Sequence, residues 1–147
     1  MAVDAVENGF GGNNSMNSFN HYSFGAVGQW MMAYSLGIQR DEPGFKKVIL
    51  QPEPDPTGVM PSAAGYYDSM YGRISSAWKV DGKALTYRAA VPANTTATLY
   101  LPASAPGAVK EGGKDAGTAN GVTFIKYENG KAAYNLKSGS YEFTSNR

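Results

Sequence analysis

The sequence predicts a mostly β protein: an antiparallel β-sandwich of eight or nine short strands, preceded by one long α-helix. Three observations lead there. From Ile74 onward apolar and polar residues alternate with period two, the pattern of half-buried strands. Turn signals such as Asp81-Gly82, Pro92-Ala93-Asn94 and Asn129-Gly130 recur, as they do between the strands of a sandwich. Ahead of them, Asn17 to Ile38 is the one long segment with helical spacing.

Residues 1–16 contain Asn8-Gly9-Phe10-Gly11-Gly12-Asn13-Asn14, a run with little to bury and high backbone entropy, and read as a flexible leader. No lysine and no preceding strand support a phosphate-cradling role for these glycines. The helix is expected over 17–38. Ser18 or Asn20 can cap its start, because a short oxygen-bearing side chain accepts from the free N–H groups of the first turn. Gly37 suits a left-handed stop, with Ile38 folding back on the last turn. Val27, Trp30, Met31, Tyr34 and Ile38 recur at helical spacing, and Phe24, Met32, Ala33 and Leu36 fill the other side. Gln29 is the only strongly polar residue between Phe24 and Ile38. A helix apolar nearly all round is normally buried on every side. Either the rest of the chain covers it or its cover lies in another body.

Gln39 to Gly44 reads as a connector stopped by Pro43-Gly44, and Val48-Ile49-Leu50 as a first strand. Pro52, Pro54, Pro56 and Gly58 then exclude a ladder and suggest a loop that crosses over. Ile74, Ser76, Trp78 and Val80 share one face, with Trp78 in the core. Asp81-Gly82 should supply both central residues of a hairpin turn, each with positive φ. Leu85, Tyr87, Ala89 and Val91 return, and Ala97, Leu99 and Leu101 form the next inner face. A short edge strand is expected near Ala108 to Glu111. Val122 to Tyr127, the Asn129-Gly130 turn and Ala132-Tyr134-Leu136 make a second hairpin, and Tyr141 and Phe143 finish the sheet.

Composition narrows the function. The 147 residues carry a net charge of +1, so there is no basic excess for a nucleic acid or an anionic membrane. Cysteine is absent, which excludes disulfides and thiolate metal sites. No apolar run reaches the roughly 20 residues that span a bilayer. The first residues lack the basic and apolar parts of a signal peptide, so an exported parent would carry its signal outside this sequence. No cofactor and no metal are expected.

The helix also carries a resemblance. Ser18-Phe19-Asn20-His21-Tyr22, then Gly25-Ala26-Val27-Gly28 with Trp30, then Gly37-Ile38, resembles the last barrel helix of bacterial α-L-rhamnosidases. The likeness continues through Asp41-Glu42-Pro43-Gly44-Phe45, through Tyr67-Asp68-Ser69 with Tyr71-Gly72-Arg73-Ile74, and through Val91 to Ala97. It departs at Ser23, at Met70 and at Met31-Met32, none of which touches His21. The resemblance implies that 17–38 is the final helix of an (α/α) catalytic barrel and that 39–147 is the C-terminal β-sandwich, cut free from the rest. It implies that His21 contacts bound rhamnose in the intact enzyme, as a substrate-binding group and not a proton donor. It also places the acid and base carboxylates of the inverting reaction earlier in the barrel.

The residues agree with that placement. A glycosidase needs two carboxyl groups across the scissile bond, one with a raised pKa. Asp41, Glu42, Glu53 and Asp55 lie in proline-rich connectors, Asp68 lies beside a turn it should cap, and Asp4 and Glu7 lie in the leader. No catalytic residue is therefore expected in this chain. Tyr66, Tyr67, Tyr71 and Tyr127 could stack on sugars, although tyrosine is also an ordinary sandwich residue. Asn94-Thr95-Thr96 matches a glycosylation acceptor and reads as a turn. Two functions follow: the C-terminal part of an α-L-rhamnosidase acting on rhamnose-containing glycosides, or a free-standing carbohydrate-binding or interaction module. The helix discriminates, since only a barrel requires a leading helix apolar on all faces. Without the barrel, part of the helix should dock on the sandwich and the rest should pair with a second copy.

Overall fold

The computed structural model describes residues 22–147, with side chains from Ala26 onward. The leader over 1–16, the caps at Ser18 or Asn20, and His21 lie outside the described residues. An α-helix, α1, spans Tyr22–Trp30 and runs into a wider π-helical turn over Met31–Ser35. Gly37 takes φ +71°, the left-handed stop the sequence called for. Ile38 does not fold back on the helix. It opens β1 (Ile38–Arg40), a strand too short to show a period.

Ten more strands follow: β2 (Lys47–Leu50), β3 (Ser62–Ser69), β4 (Gly72–Asp81), β5 (Ala84–Val91), β6 (Thr96–Pro102), β7 (Lys110–Glu111), β8 (Lys114–Asp115), β9 (Val122–Glu128), β10 (Lys131–Leu136) and β11 (Gly139–Asn146). They form a five-stranded sheet in the order β1-β2-β6-β10-β9 and a six-stranded sheet in the order β3-β4-β5-β11-β7-β8. Every pairing is antiparallel except β2 with β6. The proline-rich loop after β2 does cross from one sheet to the other, and Asp55 pins it by accepting from the Thr57 and Met60 amides.

The strand count is eleven, above the eight or nine expected, because β1, β3 and β8 gave no alternation to read. The first hairpin turn sits one residue later than expected. Asp81 pairs with Ala84, the loop is Gly82-Lys83, and only Gly82 of the two has positive φ. The second hairpin is as expected, with Asn129 and Gly130 both at positive φ.

The inner faces meet in one core. Leu50, Leu99, Leu101, Tyr134 and Leu136 of the five-stranded sheet pack against Ile74, Trp78, Leu85, Tyr87 and Phe143 of the other. Tyr134 and Phe143 stack across the gap at 6.2 Å. Ser145 Oγ donates to the Pro102 carbonyl at 2.7 Å and ties β11 to β6. This rigid body is what holds the end of the helix.

Candidate functional site: the helix seat

An α-helix ends with carbonyls that lack intrahelical partners. Here β4 supplies donors for two of them. Trp78 Nε1 donates to the Ser35 carbonyl at 2.6 Å, and Ser76 Oγ donates to the Leu36 carbonyl at 2.5 Å. Ser76 also lies 3.0 Å from the Tyr87 hydroxyl. The serine has one hydrogen and gives it to Leu36, so Tyr87 must donate to Ser76. The relay runs from Tyr87 through Ser76 to the helix end. Both side chains are fully buried, where an unpaired polar group would cost most. Burial pushes the Tyr87 phenol well above its ordinary pKa, opposed in part by the bond to Ser76. It is a neutral donor at any physiological pH.

The backbone fits the same seat. The Gln51 amide donates to the Gly37 carbonyl at 2.8 Å. A Cβ on Gly37 would lie 2.1 Å from the Gln51 carbonyl carbon, so the strand and the helix stop meet only through glycine. Gly65 on β3 similarly leaves room for Leu36, whose Cδ1 lies 2.4 Å from where a Cβ would stand. Gln39 Nε2 bonds the Ala33 carbonyl at 3.2 Å. Leu36 and Ile38 are buried, and Met32 is partly buried against the core.

The other side of the helix has no cover among the described residues. Val27, Trp30, Met31 and Tyr34 form a stripe, each more than half exposed. Trp30 and Tyr34 lie 5.8 Å apart. Beside the stripe is an open cleft of about 670 Å³, lined by Met32, Tyr34, Ile38, Arg40, Phe45 and Tyr67. Phe45 has φ +62°, a conformation that strains a bulky side chain. Its ring lies 4.5 Å from Tyr67. The pair forms part of the cleft lining.

Three of the four tyrosines that could have stacked on sugars have partners within the chain. Arg73 covers one face of the Tyr66 ring at 3.7 Å, Tyr67 faces Phe45, and the Tyr127 hydroxyl donates to the Ala103 carbonyl just after β6 of its own sheet. Asp68 does not cap the turn either. It accepts a two-pronged bond from Arg73 at 2.7 and 3.1 Å, and Ser69 takes the turn by accepting from the Tyr71 amide. Glu42 pairs with Lys47 at 2.7 Å and Glu53 with Lys131. Hydrogen bonds from Thr57, Arg73 and Lys126 hold Asp55, Asp68 and Glu128 below the usual carboxylate range. That direction is opposite to the one a proton-donating acid needs. Among the described residues no three metal-ligating side chains gather, and no helix is long and apolar enough to cross a membrane.

Sequence reasoning missed Ser76 as a seat residue. The signal was present: a serine between Ile74 and Trp78 on a buried face must have a partner there.

A sandwich that directs two buried side chains at the end of a half-covered helix belongs to the class of accessory β-sandwich domains. The chain belongs to the bacterial α-L-rhamnosidase C-terminal domain family, whose model matches residues 37–116. It is 36% identical over 129 residues to an α-L-rhamnosidase of Streptomyces avermitilis, covering 88% of this chain and 12% of that protein. It is 32% identical over 128 residues to one from Formosa agariphila, covering 87% of this chain and 14% of that protein. The crystal structure of the Streptomyces avermitilis enzyme complexed with L-rhamnose superposes with a TM-score of 0.75 at 35% identity, over 92% of this chain and 12% of that one. The chain thus spans about an eighth of the length of these relatives. These matches do not favour a free-standing binding module.

Proposed function

We propose that this chain works as the C-terminal β-sandwich of an α-L-rhamnosidase, and that the helix seat joins it to the catalytic (α/α) barrel. In that reading 17–38 is the last barrel helix and 39–147 is the sandwich. The intact enzyme hydrolyses terminal α-L-rhamnosyl residues, with its acid and base carboxylates outside this chain, and His21 helps hold the sugar. One observation carries the reading: a helix pinned to the sandwich on one side keeps an apolar stripe on the other. Each large apolar side chain is worth roughly 1.5–3 kcal/mol when buried, so an uncovered stripe implies an absent partner. In the chain alone, the same stripe would pair two copies.

The test is a comparison. At a concentration low enough to keep the chain monomeric, Trp30→Ser with Tyr34→Ser should change its stability by less than about 0.5 kcal/mol, because both residues are exposed there. In the intact enzyme the pair should lower the melting temperature and the rate of rhamnoside hydrolysis. Equal small effects in both would overturn the reading. Sedimentation of the chain over a range of concentrations tests the pairing, and a monomer throughout counts against it.

A further inference from the structure

A second feature lies on the outer face of the five-stranded sheet, and Gln51, whose backbone belongs to the helix seat, is part of its lining. There β9 pairs with β10 at Tyr127↔Ala132 and Lys126↔Ala133, then skips Ile125 and resumes at Phe124↔Tyr134. The extra residue is a β-bulge, a device that re-aims the side chains beyond it. Without it, Lys126 would share the side of Phe124, whose ring meets Tyr134 edge-on at 5.6 Å. With it, Lys126 and Glu128 stand on the outer face, and Tyr127 turns inward.

The bulge completes a trough of about 350 Å³, lined by Gln51, Tyr100, Lys126, Glu128, Lys131 and Ala133. Ala133 is its floor. It pairs with Tyr100 on one side and Lys126 on the other, and is 1% exposed without belonging to the sandwich core. The walls are held in place. Lys126 Nζ meets Glu128 at 2.5 Å, and Glu53 Oε1 accepts from both Lys131 and Gln51. Lys126 is paired with Glu128 and Lys131 with Glu53, which stands outside the lining, so a charged group entering the trough meets partners that are already engaged. A neutral ring bearing hydroxyls can donate to one wall and accept from the other, with its C–H face on the Tyr100 ring. We propose that this trough is a binding subsite for a neutral saccharide.

The proposal is independent of the helix seat and of the assignment to a rhamnosidase. The 147-residue chain, labelled with ¹⁵N, is titrated with L-rhamnose, D-galactose, cellobiose and D-galacturonate while its amide resonances are followed. At least one neutral sugar should give saturable shifts at Tyr100, Lys126 and Lys131 with a Kd in the millimolar range. Tyr100→Ala should weaken binding about tenfold, equivalent to about 1.4 kcal/mol. Ala133→Leu should abolish binding by filling the floor, and Lys126→Ala, an exposed change, gives a second answer if that variant fails to fold. Three results would overturn the proposal: no saturable shift with any neutral sugar, a preference for galacturonate, or shifts unchanged by Tyr100→Ala and Lys126→Ala.

Discussion

Ser76→Ala is the sharpest test of the seat. The substitution removes one hydroxyl and strands two groups: the Leu36 carbonyl, which loses its 2.5 Å donor, and the Tyr87 hydroxyl, which loses its 3.0 Å acceptor. Ser76 is 0% exposed, so water cannot replace it without opening the core. Each stranded buried group costs about 1–3 kcal/mol, and the pair about 2–4 kcal/mol after local relaxation. Tyr87→Phe alone should cost about 1 kcal/mol, because Ser76 still serves Leu36. The double substitution should cost less than the sum, since the phenylalanine leaves no stranded hydroxyl. Urea unfolding followed by circular dichroism measures all three, with the slope unchanged if only the folded state is affected. Amide exchange over α1 should also quicken in Ser76→Ala. The relay is wrong if Ser76→Ala stays within about 0.5 kcal/mol of the parent, or if the two single costs simply add.

Four further outcomes are expected. Gly37→Ala should destabilise by about 3 kcal/mol or more in a thermal melt, from its positive φ together with contact on the Gln51 backbone. Tyr87 binds its proton more tightly when folded than when unfolded, so its contribution is complete below about pH 10 and falls by about 1.4 kcal/mol per pH unit above that. Tyr87→Phe should flatten the alkaline limb of a stability-against-pH curve. His21→Ala in the intact enzyme should raise KM about tenfold with kcat nearly kept, as for a lost binding group, and a fall in kcat alone would speak against that role. Deleting Met31 should convert the π turn to an α turn and rotate everything before Met32 by about 100°. The sandwich should melt unchanged while the intact enzyme loses activity.

The inner faces of β4, β5, β6 and β11 were legible because each buries one side only, and period two survives in such strands. β3 was illegible for the opposite reason. It is an edge strand with Tyr66, Tyr67 and Asp68 all exposed in succession, so nothing marks an inner face. β1 and β8 are held by their neighbours and have no pattern of their own. The helix was legible as apolar on every side, and its uncovered half is the trace of that composition. The seat was half legible: Gly37 announced the stop, but that Ser76 and Trp78 would meet it 40 or more residues away is a long-range fact. The trough was illegible because it depends on the bulge at Ile125, and Phe124-Ile125-Lys126 reads as an ordinary strand.

The π turn explains how one short helix can serve two bodies. In an α-helix the Leu36 amide would bond the Met32 carbonyl; here it bonds Met31 at 3.2 Å. That wider ring adds one residue between the seated end and the rest of α1, which rotates the upstream stripe relative to Leu36. Met32 and Leu36 therefore point at the sandwich, while Val27, Trp30, Met31 and Tyr34 stay in the open. A regular helix could be docked by β4 only in the azimuth its end dictates. With the π turn, the end obeys the Ser76 and Trp78 donors and the upstream face is left to be set by the barrel proposed above. The seat and the stripe are thus oriented separately by one local irregularity, as the proposed junction between sandwich and barrel would require.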